Sequence, residues 1–277
     1  MEKLLQNFAP ITLDEMSGIR LMNRTDTKFV TTMPMLRQLL LMAADDYYVQ
    51  QIDGRRTAAY YTLYFDTPDC QMYCVHEAGH TNRQKLRIRS YVDSHLDFLE
   101  VKTKNNHGRT RKKRVSLSDY TPGDPTSFDL QNSRYADFLG ETLHYDARQL
   151  MPQLENRFDR ITLVNKAKTE RLTIDLNLRF HNITTGDYRF MGDIVIIELK
   201  RDGLVPSPIL AMLRQLRIKP HGFSKYVIGS ALTNTALHRN RLKPKLHDIL
   251  CMTSPSRNNI LQLRPASKVA LFTSHSA

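Results

Sequence analysis

The strongest constraint on this chain is an alternation that keeps returning. Residues 85–92 read KLRIRSYV. As a strand, this stretch puts Lys85, Arg87, Arg89 and Tyr91 on one face and Leu86, Ile88, Ser90 and Val92 on the other. Residues 97–104, DFLEVKTK, repeat the pattern, with Phe98, Glu100, Lys102 and Lys104 opposing Leu99, Val101 and Thr103. In 110–117 Lys112, Arg114 and Ser116 oppose Lys113, Val115 and Leu117. In 171–178 Arg171, Thr173, Asp175 and Asn177 oppose Leu172, Ile174, Leu176 and Leu178, and in 193–200 Glu198 and Lys200 oppose Val195, Ile197 and Leu199. Arg160 shares a face with Phe158 and Thr162.

Period-two alternation of this kind specifies half-buried antiparallel strands. The polar positions are mostly Lys and Arg with a few carboxylates, and like charges on facing strand positions destabilise a sheet unless something compensates them. Two arrangements accommodate them. The polar face meets water, or the sheet curls so that the polar face points inward and helices cover the apolar outside. Alternation alone does not separate the two.

The rest of the chain supplies those helices. Apolar spacing predicts helices over 11–20, 34–44 (with Pro34 in the first turn), 133–145 and 207–218. The segment 221–233 begins as a loop and ends helical. Further strands are expected at 58–67 and 156–165, with NNHG at 105–108 as a hairpin tip and 121–127 as a loop. Two successive hairpin groups with helices between them specify an α+β, antiparallel protein rather than alternating βαβ units. The pattern carries through to residue 240 as one domain, 1–240. Beyond it, 241–277 reads as a basic tail that includes Arg241, Lys243 and Lys245.

Composition bounds the partners. The 277 residues carry 40 Lys and Arg against 28 Asp and Glu, a net charge of +12 that favours polyanions. The three cysteines, Cys70, Cys74 and Cys251, form neither a disulfide framework nor a zinc motif, and read as free thiols of a reducing compartment. No run of 18 apolar residues spans a bilayer, and MEKLLQNFAPITLDEM lacks a signal peptide's apolar core. The expectation is therefore a cytoplasmic protein. His76, His80, His107 and His221 lack metal-ligand spacing. No phosphate-binding glycine loop and no Ser/His/Asp or Cys/His constellation is present. Nucleic acid is disfavoured as the polyanion, because Tyr47, Tyr48, Tyr60 and Tyr61 are not interleaved with the basic strands as a base-stacking platform requires.

The hexamers that carry these faces resemble a known pattern. RTDTKF (24–29), LYFDT (63–67), KLRIRSY, FLEVKTK, KKR (112–114), FDR (158–160), ERLTID (170–175), IIELK (196–200) and FSKY (223–226) stand in the order found in the VTC domain of inorganic polyphosphate polymerases. That domain belongs to the CYTH-like triphosphate tunnel metalloenzymes, and the resemblance covers about residues 18–235. It implies a closed antiparallel β-barrel, a tunnel lined by cations, with helices packed outside.

The implied activity is transfer of the γ-phosphate of ATP to a growing polyphosphate chain, with pyrophosphate or polyphosphate as acceptor. By the same resemblance, Lys28, Arg87, Arg89, Lys102, Lys112, Arg160, Arg171 and Lys225 act on the phosphates. Arg24, Lys85, Arg114, Asp175 and Lys200 line the substrate path. Glu198 holds Mn²⁺ or Mg²⁺, and Glu100 is a second candidate for the metal or for orienting Lys102. Lys112 competes with Lys113 for its place, and Arg160 with Arg157. RTDTK replaces the acid-rich ExExK strand of related tunnel hydrolases, which points to the VTC branch. A metal-dependent triphosphatase in the same tunnel is the alternative.

Overall fold

A computed structural model describes residues 1–17, 24–107, 109–203 and 205–253. In chain order its elements are α1 (Glu2–Leu5), β1 (Ala9–Ile11), α2 (Leu13–Ser17), β2 (Arg24–Thr32), α3 (Met33–Ala43), β3 (Tyr47–Gln50) and β4 (Ala58–Asp66). There follow α4 (Gln71–Glu77), β5 (Arg83–Tyr91), β6 (Leu96–Lys104), β7 (Thr110–Leu117), α5 (Ala136–Thr142), β8 (Met151–Asn165) and β9 (Glu170–Asn182). The last are β10 (Tyr188–Phe190), β11 (Ile194–Asp202), α6 (Pro208–Gln215), α7 (Lys225–Thr233) and α8 (Lys243–Thr253).

Their strands form one 11-stranded sheet whose main path runs β2-β11-β9-β8-β4-β5-β6-β7. Neighbours on that path pair antiparallel. The expected α+β, antiparallel architecture is present. Closure is not: among the described residues β2 and β7 share no ladder, so the sheet curls without completing a barrel. The sequence could not reveal this, because alternation sets which face a side chain takes and not whether the two end strands meet.

Each half of the outer face carries its own apolar cover. Leu36, Leu39, Leu40 and Ala43 of α3 recur at helical spacing and pack with Ile161, Leu163, Leu172, Ile174, Val195, Ile197 and Leu199, all alternate strand positions. On the other half Leu63, Leu86, Ile88, Leu99 and Val101 pack with Tyr120, Tyr135 and Leu139 from the segment after β7. The inner face is divided in two. One part is charged, and the other is filled by α7, whose Tyr226, Val227 and Ala231 join Leu154, Leu178 and Phe180 in the core.

Leu178 is inward because β9 carries a bulge. Pairing with β8 shifts between Arg157 and Asp159, and Asn177 adopts φ 53°, the left-handed region that Asn tolerates. Asp175 and Leu178 therefore share the inner face, which corrects the unbroken alternation expected across 171–178.

Other boundaries also moved. The helix expected at 11–20 is α2 at Leu13–Ser17, and residues 18–20 lie outside the described set. Within 241–277, residues 243–253 form α8, and its Leu246 and Ile249 are buried in the core. Residues 254–277 lie outside the described residues.

Two features, one polar and one steric, lock α7 in place. Asp66, wholly buried, accepts from Met72 N and Tyr73 N at 2.9 Å each and from the Tyr226 hydroxyl, tying β4, α4 and α7 together. At Gly229 the backbone of α7 approaches the sheet so closely that a Cβ would stand 2.5 Å from Phe180 Cδ1 and 2.8 Å from Leu154 Cδ2. Gly229→Ala is expected to cost about 1–3 kcal/mol through overpacking, read as a lower Tm in thermal unfolding.

Candidate functional site

The charged part of the inner face is built by β2, β11, β9, β8, β5, β6 and β7 together with the first residue of α7. It is not a solvated face. Arg87, Arg160, Lys200 and Lys225 keep only 16, 14, 13 and 13% of their side-chain surface exposed. Of the two arrangements compatible with the alternation, the inward one is realised.

Three carboxylates, Glu100 and Asp175 buried and Glu198 half-buried, organise the cations. Glu100, with no exposed surface, accepts from Arg87 Nη2 at 2.6 Å and Nε at 2.9 Å, and from Lys112 Nζ at 3.0 Å. Burial pushes its carboxyl up, but Arg87, Arg89 and Lys112 together outweigh burial and hold it down at about 2. Asp175 accepts from Arg160 Nε at 2.6 Å and Nη2 at 2.9 Å in a two-pronged pair, and also from Lys225 Nζ. Burial again raises it, and Arg160 and Lys225 overcome burial. Glu198 meets Lys200 Nζ at 2.5 Å and is held below its usual range, against burial, by Lys28 and Lys200.

The remaining cations outnumber these acids and depress one another. Burial lowers the Lys102 amine to about 8, helped by Lys28 and Arg87. Burial drives Lys85 well below its ordinary range, and Lys102 and Lys28 add to that; its amine donates to Ser224 Oγ at 2.7 Å. Burial lowers Arg89, and Arg87 and Arg160 lower it further. Lys28, which donates to the Phe223 carbonyl at 3.1 Å, thus acts across the hollow on Lys85 and Lys102, although β2 stands at the far end of the sheet order from β5 and β6. That reach is the signature of the curl.

The structure thus gathers Lys28, Lys85, Arg87, Arg89, Lys102, Lys112, Arg160, Asp175, Glu198, Lys200, Lys225 and Glu100 on one surface. Arg171 stands opposite Lys200 in register on the same face. Arg114 sits on the exposed end strand β7, opposite Glu100. Arg24 opens β2, and its side chain lies outside the described residues. Lys113 has the opposite parity to Lys112, and Arg157 stands over the outer-face ring of Tyr61.

Four aromatic residues also line this face: Tyr91, Phe98 and Phe158, which alternation puts beside the charged positions, and Tyr60, which it did not place. Tyr60 and Phe158 stack at 5.1 Å, Tyr60 and Tyr91 lie 5.0 Å apart, and Phe98 meets Tyr91 edge-on at 5.9 Å. Arg160 lies 4.8 Å from the Tyr60 ring centre, Lys225 4.1 Å from that of Phe158 and Arg114 4.3 Å from that of Phe98. Aromatics and cations are therefore interleaved, contrary to the expectation drawn from Tyr47, Tyr48, Tyr60 and Tyr61. Tyr91 and Phe98 share strand parity with Arg89 and Glu100, which was the available signal.

Several inner-face polar atoms, Arg89 Nε, Thr62 Oγ1 and Thr173 Oγ1, are buried without a hydrogen-bond partner among the described residues. An oxyanion would satisfy the arginine. For a divalent metal, Glu198 offers a carboxylate with 21% of its side chain exposed, whereas both oxygens of Glu100 are engaged by Arg87 and Lys112. No cluster of three or more His, Cys, Asp or Glu ligands occurs among the described residues. A metal here would therefore complete its shell with ligand oxygens and water. Surface hollows of about 430 Å³ beside Arg55, Arg56 and Asp93, and of about 370 Å³ beside Thr67 and Arg148, lie off this face. Among the described residues no helix is long and apolar enough to cross a membrane.

A curled antiparallel sheet that buries excess Lys and Arg on its inner face favours anionic ligands. The comparisons with known proteins make the class specific. The family model of the VTC domain matches residues 23–234, and the chain belongs to that family. Solved structures with a similar fold include a putative adenylyl cyclase from Hippeastrum described as having a dominant triphosphatase activity. It is 18% identical with a TM-score of 0.48, over 75% of this chain and 95% of that one. A putative adenylate cyclase from Bacillus halodurans is 15% identical with a TM-score of 0.45, over 73% of this chain and 96% of that one. Another from Vibrio parahaemolyticus is 10% identical with a TM-score of 0.42, over 76% and 99%. No curated protein matches the chain.

The depressed lysines generate a pH prediction. Burial sets Lys225 at about 7, against an ordinary value near 10.4, and an anion bound beside it would raise it again. Between those values binding must take up a proton, so affinity for tripolyphosphate falls as pH rises above about 7. Calorimetry at pH 8 in buffers of different ionisation enthalpy is expected to register net uptake, and Lys225→Met to diminish it.

Proposed function

We propose that the protein is an inorganic polyphosphate polymerase that transfers the γ-phosphoryl group of ATP to the end of a polyphosphate chain. The observation that carries this reading is the row of buried, under-compensated cations on the inner face, with Arg89 Nε lacking any partner among the described residues. Such a row suits a ligand with charge spread along its length. A single carboxylate or phosphomonoester would leave most of it uncompensated.

Arg87, Arg89 and Arg160 fork onto non-bridging phosphate oxygens, while Lys28, Lys102 and Lys225 serve as point charges around them. Glu100 and Asp175 hold Arg87, Lys112, Arg160 and Lys225 in place, so little reorganisation is needed as charge develops. Glu198 is the residue that would hold Mn²⁺ or Mg²⁺, which when bound neutralises charge on the phosphates. In the transfer, a terminal oxygen of the acceptor chain forms the new bond to the γ-phosphorus. The bond from that phosphorus to the β–γ bridging oxygen breaks, and ADP leaves with the electron pair.

The carboxylates bear on the choice of acceptor. Glu100 is held at about 2, and Asp175 and Glu198 are held well below the usual carboxylate range, so all three are weak bases for activating water. A phosphate acceptor is already ionised and requires no base. Incubation with ATP, Mn²⁺ and a trace of pyrophosphate is expected to give long chains and ADP on a polyphosphate-stained gel. Arg89→Ala is expected to slow this by roughly 10²–10³-fold. Free phosphate without chains would identify a triphosphatase instead.

A further inference from the structure

We propose that the rings of Tyr91 and Phe98, at the end of the inner face where β5 turns into β6, form a stacking platform for the base of the donor nucleotide. The inference rests on the reading that the inner face binds a nucleoside triphosphate, and it assigns the part of that ligand the cations do not touch.

The inner face is charged along β5 and β6 until this end, where its character changes. Tyr91 pairs with Leu96, and Arg89 with Phe98, in the β5–β6 ladder, so Tyr91, Leu96 and Phe98 all belong to the inner face. Tyr91 and Phe98 are half-buried, Leu96 is 52% exposed, and Val92 in the intervening turn is 40% exposed. Uncovered apolar surface at the mouth of a cation-lined hollow is a place where an apolar part of a ligand can rest.

The rings themselves differ in how they are used. Tyr60 and Phe158 stack on each other with an 18° interplanar angle, and Phe158 is buried, which accounts for that pair as packing. Tyr91 and Phe98 meet at 88°, edge to face, so neither stacks flat on the other. The partner standing over Phe98 is the guanidinium of Arg114, at 4.3 Å, from the exposed end strand β7. A planar cation on an aromatic face occupies the kind of position that a base takes, and Arg itself stacks on bases.

Distance along the strand fits a nucleotide. Tyr91 lies two residues beyond Arg89, roughly 6.6 Å at the strand repeat, so a ribose separates phosphates held at Arg89 from a ring resting on Tyr91. Recognition by stacking tolerates base identity, and ATP and GTP are expected to bind similarly.

The test is calorimetric titration of the full chain, with Mg²⁺, using adenosine 5′-(β,γ-imido)triphosphate and, separately, inorganic tripolyphosphate. Phe98→Leu and Tyr91→Leu keep apolar bulk and remove the aromatic face, and an unchanged Tm verifies that each variant folds. Each substitution is expected to weaken the nucleotide roughly tenfold or more and to leave tripolyphosphate unchanged. Equal weakening of both ligands would show that the rings merely support the cations, and would overturn the platform. So would nucleotide binding that is indifferent to both substitutions, or a wild type that binds tripolyphosphate and not the nucleotide. A wild type that binds neither would instead overturn the reading beneath it.

Discussion

Everything in this fold answers to one electrostatic problem: a sheet that carries rows of lysine and arginine on a face it turns away from water. Desolvating a charge is expensive unless it is paired. Here the pairing is partial. Glu100 joins Arg87 on β5 to Lys112 on β7, across β6, and Asp175 joins Arg160 on β8 to Lys225 on α7. These carboxylates make the cations tolerable without neutralising them, as the lowered Lys85, Lys102 and Arg89 record. The outer apolar covers, one led by α3 and the other by the segment after β7, provide the burial that offsets the remaining repulsion.

The apolar part of the inner face does a related job. α7 fills it, and the same helix begins with Lys225, so the packing of Tyr226 and Val227 sets where that amine stands. Ser224, the N-cap, both accepts from Val227 N and receives the Lys85 amine, linking α7 to β5. Asp66 anchors the Tyr226 hydroxyl from below. Core and site are thus one mechanical unit, and a substitution such as Gly229→Ala, aimed at packing, acts on the position of a site lysine.

Much of this was legible in the sequence, for a physical reason. Period-two alternation survives translation into structure, so the faces of β5, β6, β7 and β11 could be read directly, whereas the inward choice and the gathering of Lys28, Arg87, Arg89, Lys102, Arg160 and Glu198 followed only from the resemblance to the VTC domain. What was not legible depends on geometry that alternation does not encode. The left-handed turn at Asn177 exchanges the faces of β9, and a lone Asn within an alternating run gives no warning of it. Whether β2 meets β7 depends on curvature and shear. The aromatic cluster joins Tyr60, Tyr91, Phe98 and Phe158 from four strands, and only the folded register brings them together. Within the expected tail, α8 has a short buried stripe, Leu246 and Ile249, too sparse to outweigh the surrounding charge in a sequence reading.

The inner-face cations are short of negative charge, and a phosphate chain is the ligand proposed to supply it. Thermal unfolding of the wild-type chain with and without tripolyphosphate measures this directly. At about a hundredfold excess over Kd the ligand should contribute about 2.7 kcal/mol, a rise in Tm of roughly 5–10 °C. Arg160→Met, which removes an inner-face cation, should reduce that rise, while Arg148→Met on the outer surface should not. No rise, or an equal rise with single-stranded RNA of the same charge, would contradict the account.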